Sequence, residues 1–382
     1  MKGRKYPLGI QTFENIIKEN YVYVDKTALI YQVVHENKYC FLSRPRRFGK
    51  SLLVTTLQAY FEGKKNLFEG LAMEQLEQEW VKYPVIHLDL SKGKFYDLES
   101  LHATINSLLL GYESLYSLQV EYEKAYNVRL QNIIEAAYAQ TGKEVVVLID
   151  EYDAPMHDSM KNEDLQEQIQ DRMRNFFSPL KGEEKILRFV FLTGISKFSQ
   201  LSIFSELNNI TNISMLDKYS DICGISKEEL LSQFEEDIKS LAEDNEMTYE
   251  ETLTELKHQY DGYHFSGRGK DMYNPYSLFN TLDSNEFDDY WFSTGTPTFL
   301  IELLQKKHLD MLELDEITAT AGRFDTPTEK LTDPVPVLYQ SGYLTIKGYN
   351  RRSKVFKLGF PNREVKKGIM SLLSRLSMTQ TL

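Results

Sequence analysis

Through the first half of the chain, short apolar runs rich in β-branched residues alternate with longer stretches whose apolar positions recur at helical spacing. Lys38–Ser43, Val85–Leu90, Val145–Asp150 and Arg188–Ile195 read as strands, apolar on both faces as buried parallel strands are. Between them Ser51–Glu62, Leu98–Tyr116, Gln119–Gln140 and Asp164–Phe177 carry enough Leu, Ala, Gln and Glu to read as helices. Strand–helix alternation of this kind predicts an α/β domain, a doubly wound three-layer sandwich on a parallel sheet, filling residues 1–225.

Beyond it the pattern turns helical over 226–330. Ser226 stands three residues before Glu229 and opens ISKEELLSQFEEDIKSLAED, a capping-box start followed by an acidic first turn. The last stretch, 331–382, contains VLYQSGYLTIKGYNRRSKVFKLGFP, read as a β-hairpin in which Tyr343, Thr345 and Lys347 face Val355, Lys357 and Gly359 across the basic loop Gly348–Lys354. An exposed wing of this kind suits a small winged-helix-like unit.

Composition narrows the function classes. With 44 basic and 56 acidic residues the net charge is −12, so the whole surface is not built to hold polyanions and any nucleic-acid contact must be local. Cys40 and Cys223 lie far apart in sequence, in apolar surroundings and without metal spacing, which fits buried thiols in a reducing compartment. No apolar run reaches the roughly 18 residues of a membrane helix, and the polar start lacks a signal-peptide core. A cytoplasmic location is expected.

The chemistry lies at two strand ends. The strand Lys38–Ser43 runs into Arg44-Pro45-Arg46-Arg47-Phe48-Gly49-Lys50-Ser51 and then a helix, the strand–loop–helix context of a phosphate cradle. Arg46, Arg47, Phe48, Gly49, Lys50, Ser51 and Leu52 form the expected nucleotide-binding set. Gly49 lets backbone approach phosphate, Lys50 can reach the outer phosphates, and the Ser51 hydroxyl can ligate Mg²⁺. Arg44 stands where a Walker A motif has its first glycine, and the three loop arginines are read as added charge-assisted donors. Downstream, Val145–Ile149 delivers Asp150-Glu151 at its end, a Walker B pattern. Adjacent acids there are costly without a counter-ion, so Asp150 is assigned with Ser51 to Mg²⁺ and Glu151 to activating the attacking water. Thr193, closing the strand Leu187–Leu192 before Gly194-Ile195-Ser196-Lys197, either reads the γ-phosphate or simply ends a strand. Asp153 is either a supporting acid or the N-cap before Ala154-Pro155, the cap preferred.

Together SRPRRFGKSLL, VVVLIDEYDAP, FLTGISKFS, YDGYHF, YNPYSLFN and LYQSGYLTIKGY resemble the AAA-ATPase-like family of bacterial P-loop proteins. The resemblance extends to LGIQTFENIIKENYVYVDKTALI, where Tyr23 to Thr27 match a segment that would help close over the base. It implies that Arg44 is the usual form of the loop in such proteins, and that a helical lid and a winged-helix unit follow the ATPase core. Many members continue into a PD-(D/E)XK nuclease-like domain. Here Glu364-Val365-Lys366 has the E-x-K form with only sixteen residues after it, so it is expected on a surface helix and no nuclease domain is expected. YDGYHFSGR and YNPYSLFN are assigned to packing.

The favoured reading is a P-loop ATPase, binding ATP with Mg²⁺ and using Glu151, Lys50 and Thr193 to hydrolyse it and drive a conformational switch. The alternative is a nucleotide-dependent scaffold with negligible turnover that recruits a partner or nucleic acid. No arginine finger identifies itself: Arg172, Arg174, Arg188, Arg268 and Arg323 are equal candidates. The partners considered are ATP, a second copy of the chain, and nucleic acid held weakly by the wing; a membrane is not among them.

Overall fold

Five parallel strands form the sheet the sequence pattern anticipates: β1 (Tyr39–Ser43), β2 (Val85–Asp89), β3 (Val145–Asp150), β4 (Leu187–Gly194) and β5 (Thr211–Asn212), in the order β2-β3-β4-β1-β5. The computed structural model describes residues 4–122, 124–160, 162–196, 210–294, 314–325 and 333–379. Its chain divides into two compact units, each discontinuous in sequence: Asp25–Ser43 with Lys50–Ile213, and Met1–Val24 with Arg44–Gly49 and Ser214–Leu382.

In the sheet unit, alternate residues of each strand supply opposite layers. Val145, Val147 and Ile149 of β3, with Val190 and Leu192 of β4, pack on Leu101, Ile105, Leu130 and Ile133 from the helices Leu98–Leu115 and Tyr126–Thr141. The other face meets the helix Lys50–Phe61, where the Phe61 ring lies 5.4 Å from that of Phe189. This is the α/β P-loop NTPase architecture. Register sets the sheet's carboxyl edge in line: Asp89 pairs with Asp150, Leu42 with Thr193 and Ser43 with Gly194. One expected helix is shorter than its composition suggests, starting at Tyr126 instead of Gln119. Asp25 and Thr27 form a bracket in which Asp25 accepts from Thr27 N, Thr27 Oγ1 and Ala72 N.

The second unit has its own core, in which Tyr6, Leu230, Phe234, Ile238, Leu256, Tyr260 and Leu278 meet. The Ser226–Glu229 capping box is present in both directions. The helix it opens is broken at Phe234, which is fully buried against Tyr6 and Phe279 and separates Lys227–Gln233 from Glu235–Asp244. A three-stranded antiparallel sheet joins β6 (Ile225–Ser226), β7 (Tyr263–His264) and β8 (Asp271–Tyr273), with β8 central. The two aromatic–glycine segments pack as assigned. Gly262, at φ +89°, comes so close to Pro361 O that a side chain there would collide, and Asn274 Oδ1 caps the helix Pro275–Ser284. The hairpin is present as β10 (Thr345–Asn350) and β11 (Val355–Gly359), but the strands run further than expected and only Arg351–Lys354 turn between them. A further strand, β9 (Ile317–Thr320), pairs with β11.

Candidate functional site

Within the sheet unit the strand ends bring the proposed catalytic groups together. Lys50 opens the helix Lys50–Phe61, and its Nζ lies 3.3 Å from Glu151 Oε1; Lys50 is 4% exposed at the side chain and Glu151 21%. The Ser51 hydroxyl hydrogen-bonds the Asp150 carboxylate. The two residues assigned to Mg²⁺ are therefore in contact, on an oxygen-only donor set of the kind Mg²⁺ takes. Burial pushes the Asp150 carboxyl up to about 7, with the charge of Glu151 adding to the shift and Ser51 and Lys50 opposing it. A buried acid so reluctant to ionise, beside a second acid, fits a site built to receive a cation.

Left-handed backbone marks Glu151 and, in the other unit, two residues of the loop. Glu151 has φ +50°, so the strand ends abruptly there and its side chain is turned away from the strand's alternation. Arg47 has φ +66° and Gly49 φ +90°. A non-glycine residue in this region costs on the order of 1 kcal/mol or more and persists where its surroundings impose it. Gly49 has no neighbour that a Cβ would strike, so its φ alone calls for glycine.

Other expected site residues stand differently. Thr193 is fully buried and its Oγ1 donates to Leu42 O at 2.9 Å, a bond between neighbouring strands. Asp153 precedes the helix Ala154–Ser159 without capping it. Its Oδ2 instead accepts from Ile195 N, Ser196 N and Ser196 Oγ, and lies 2.9 Å from His157 Nε2. Burial raises the Asp153 carboxyl, but His157 and the Ser196 donors outweigh it and hold the group below its ordinary value. Asp153 thus ties the segment after β4 to the segment after β3. His157 and Asp89 were not singled out from sequence. The i, i+4 spacing of Asp153 and His157 was the available signal for the first, and only strand register reveals the second.

In the second unit the loop residues Arg44–Gly49 have their own supports. Arg44, read from sequence as a phosphate donor, is 2% exposed and lies over the Phe265 ring. Its Nη1 donates to Ser214 O and its Nη2 to Tyr219 O and Ser220 O. A buried guanidinium must satisfy its donors nearby, so Arg44 is an anchor and not a phosphate ligand. The Phe48 ring is buried edge-on to Tyr263 and Phe265, leaving its backbone as the part able to meet a ligand. The Arg47 guanidinium lies over Tyr276, and Arg46 O accepts from the Trp291 indole. Of FLTGISKFS, residues 197–199 lie outside the described residues.

A family model described as Predicted AAA-ATPase matches residues 7–204. The chain belongs to this AAA-ATPase-like family. A relative described as an uncharacterized protein in the vnfD 5′ region of Azotobacter chroococcum mcd 1 is 35% identical over 385 residues, covering 98% of this chain and 70% of that protein. Solved structures with slight likeness include the Aeropyrum pernix ORC2 protein in ADPNP–ADP complexes, 12% identical over 96% of this chain and 98% of that one, with a TM-score of 0.40. The A. pernix ORC1 protein in complex with DNA is 9% identical over the same shares, with a TM-score of 0.33. Both the loop and the Asp150-Glu151 strand end lie within the residues that the family model matches. Among the described residues no helix is long and apolar enough to cross a membrane.

Proposed function

We propose that this AAA-ATPase-like protein binds ATP with Mg²⁺ in the cytoplasm and hydrolyses it to drive a conformational switch. The observation that carries the reading is the meeting of Lys50, Ser51, Asp150 and Glu151 at the carboxyl edge of a parallel sheet, where ligands of open α/β sheets bind. Mg²⁺ bound there would offset phosphate charge and polarise the terminal phosphoryl group. Ser51 and Asp150 are the residues to hold it, Asp150 through the ion's water shell.

Lys50 has a double role. Its ammonium pairs with Glu151 at 3.3 Å, and a terminal phosphate competes for the same cation. As Lys50 turns to phosphate, the Glu151 carboxylate is released to take a proton from the attacking water, while the N–H groups from Arg46 to Leu52 hold the phosphates. Nucleotide arrival is thereby linked to activation of the base. Thr193, with its proton given to Leu42 O, retains lone pairs that can accept from the attacking water.

A slow nucleotide-dependent scaffold is the second reading, and one observation favours it. Of the five candidate arginine fingers four are engaged within the chain: Arg174 pairs with Asp171, Arg323 with Asp333 and Arg268 with Asp217, while Arg188 lies over the Tyr83 ring. Under either reading Lys50→Ala loses ATP binding while keeping the thermal midpoint of the wild type within a few degrees, since the side chain supplies charge to phosphate and no apolar core. Calorimetric titration with Mg-ATP beside a thermal melt tests this. Unchanged ATP affinity in the folded variant contradicts the site.

A further inference from the structure

Glu364 stands one residue into the helix Arg363–Thr379 and is fully buried, contrary to the surface position its E-x-K setting suggested. Its carboxylate is spent on neighbouring donors: Oε2 accepts from Ser277 Oγ at 2.9 Å, and Oε1 accepts from Trp291 N at 2.6 Å and Phe292 N at 3.2 Å. Those two N–H groups belong to the first turn of the short helix Tyr290–Ser293, which has no side-chain cap of its own. The carboxylate therefore supplies the missing acceptors from another helix. Gly368, one turn along from Glu364, has no Cβ to collide with the Phe292 ring, so the two helices approach closely.

Trp291 carries the constraint onward. Its ring is fully buried, tilted against Tyr343 at 5.1 Å and edge-on to Tyr263 at 6.4 Å. Its Nε1–H donates to Arg46 O at 3.0 Å. The peptide between Arg46 and Arg47 is planar and trans, so its carbonyl and its N–H point in opposite directions. With Arg46 O held toward Trp291, the Arg47 N–H is directed away from it. The chain then turns through the left-handed Arg47 and Gly49. One indole hydrogen bond thus sets the direction of the Arg47 N–H, one of the loop's donors.

We propose that Glu364 and Trp291 are positioning residues for the phosphate loop, Glu364 by orienting Trp291 and Trp291 by orienting the Arg46–Arg47 peptide. This rests on the nucleotide-binding reading of the loop. It assigns the E-x-K glutamate a role in nucleotide binding through geometry alone, without contact to phosphate. It also makes Trp291 a reporter of loop occupancy, because a phosphate drawing on the Arg47 N–H polarises the same peptide whose carbonyl the indole meets.

The test uses the full chain. Trp291→Phe keeps an aromatic ring and leaves Glu364 with its backbone donors, but removes the indole N–H; Glu364→Ala removes the acceptors, and Glu364→Gln keeps one acceptor oxygen. Calorimetric titration with Mg-ATP should give a Kd raised about three- to tenfold for Trp291→Phe, the scale of one lost neutral hydrogen bond. Glu364→Ala should weaken binding similarly, and Glu364→Gln should recover affinity to within about twofold of wild type. The chain has two tryptophans. In a Trp80→Phe background the remaining emission, from Trp291, should change in intensity or wavelength as ATP saturates. Wild-type affinity in a folded Trp291→Phe, together with emission that ATP leaves unchanged, overturns the inference while leaving the loop's nucleotide reading intact. Failure of the wild type itself to bind ATP overturns both. If Glu364→Ala does not fold, Trp291→Phe and Glu364→Gln decide.

Discussion

Asp150 shows how a single residue can be costly to the fold and useful to the site. Buried beside Glu151, its carboxyl is pushed up to about 7, so between the ordinary carboxylate range and that value the folded protein keeps a proton the unfolded chain has released. Stability from this group is fully present at acid pH and falls as pH rises through that window. Asp150→Asn removes the penalty: its thermal midpoint should exceed that of the wild type by a few degrees at pH 8 and by clearly less at pH 5, while its Mg-dependent ATP affinity drops. Melts at the two pH values check the sign, and a midpoint lowered at pH 8 would mean that the charge is paid back inside the folded protein. Mg-ATP binding to the wild type should for the same reason strengthen from pH 6 to pH 8. The identities of Lys50, Ser51, Asp150 and Glu151 were legible because strand–loop–helix context and an apolar run ending in two acids are local patterns. The anchoring of Arg44 was not, since nothing local tells a phosphate-facing guanidinium from one that folds back onto Ser214 O and Tyr219 O.

At the scale of elements, β1 to β4 agree with the apolar pattern to within a residue or two, because burial on both faces leaves little freedom in a central strand, and so do the helices between them apart from the one that starts at Tyr126 instead of Gln119. Where a tertiary contact decides, the pattern fails. Phe234 breaks an apparently continuous helix by packing under Tyr6 and Phe279, and β9 is only four residues long and pairs with β11. The hairpin β10–β11 was legible from its turn residues, and Arg351, Arg352 and Lys354 are exposed at its tip, where Asn350 Oδ1 accepts from Arg352 N and Ser353 N. We propose this tip as the wing of a winged-helix-like unit and the source of weak nucleic-acid affinity. Replacing the three basic residues by serine should abolish retention on duplex DNA at low salt, and wild-type retention should fall steeply with added salt. Retention unchanged by the replacement assigns the wing to structure alone.

For the whole molecule, the discontinuity of the two units is what a linear reading misses most. The chain leaves the sheet unit at Arg44 and re-enters it at Lys50, and periodicity along the sequence carries no record of which side chains hold a six-residue loop. The same limit hid Glu364, whose E-x-K setting suggested the surface while Ser277, Trp291 and Phe292 bury it. The meeting of the lysine and the acids was legible further than the division into units, because they belong to strand ends of one sheet. The central claim is that ATP is hydrolysed with Glu151 as the base, and a single-turnover measurement with Mg-ATP on wild type and Glu151→Gln tests it most directly. The account predicts ATP affinity within a few-fold of wild type in the variant, with the hydrolysis rate lower by roughly two orders of magnitude or more. Equal single-turnover rates in the two proteins would contradict it, moving the base elsewhere or leaving the protein a slow nucleotide-dependent scaffold.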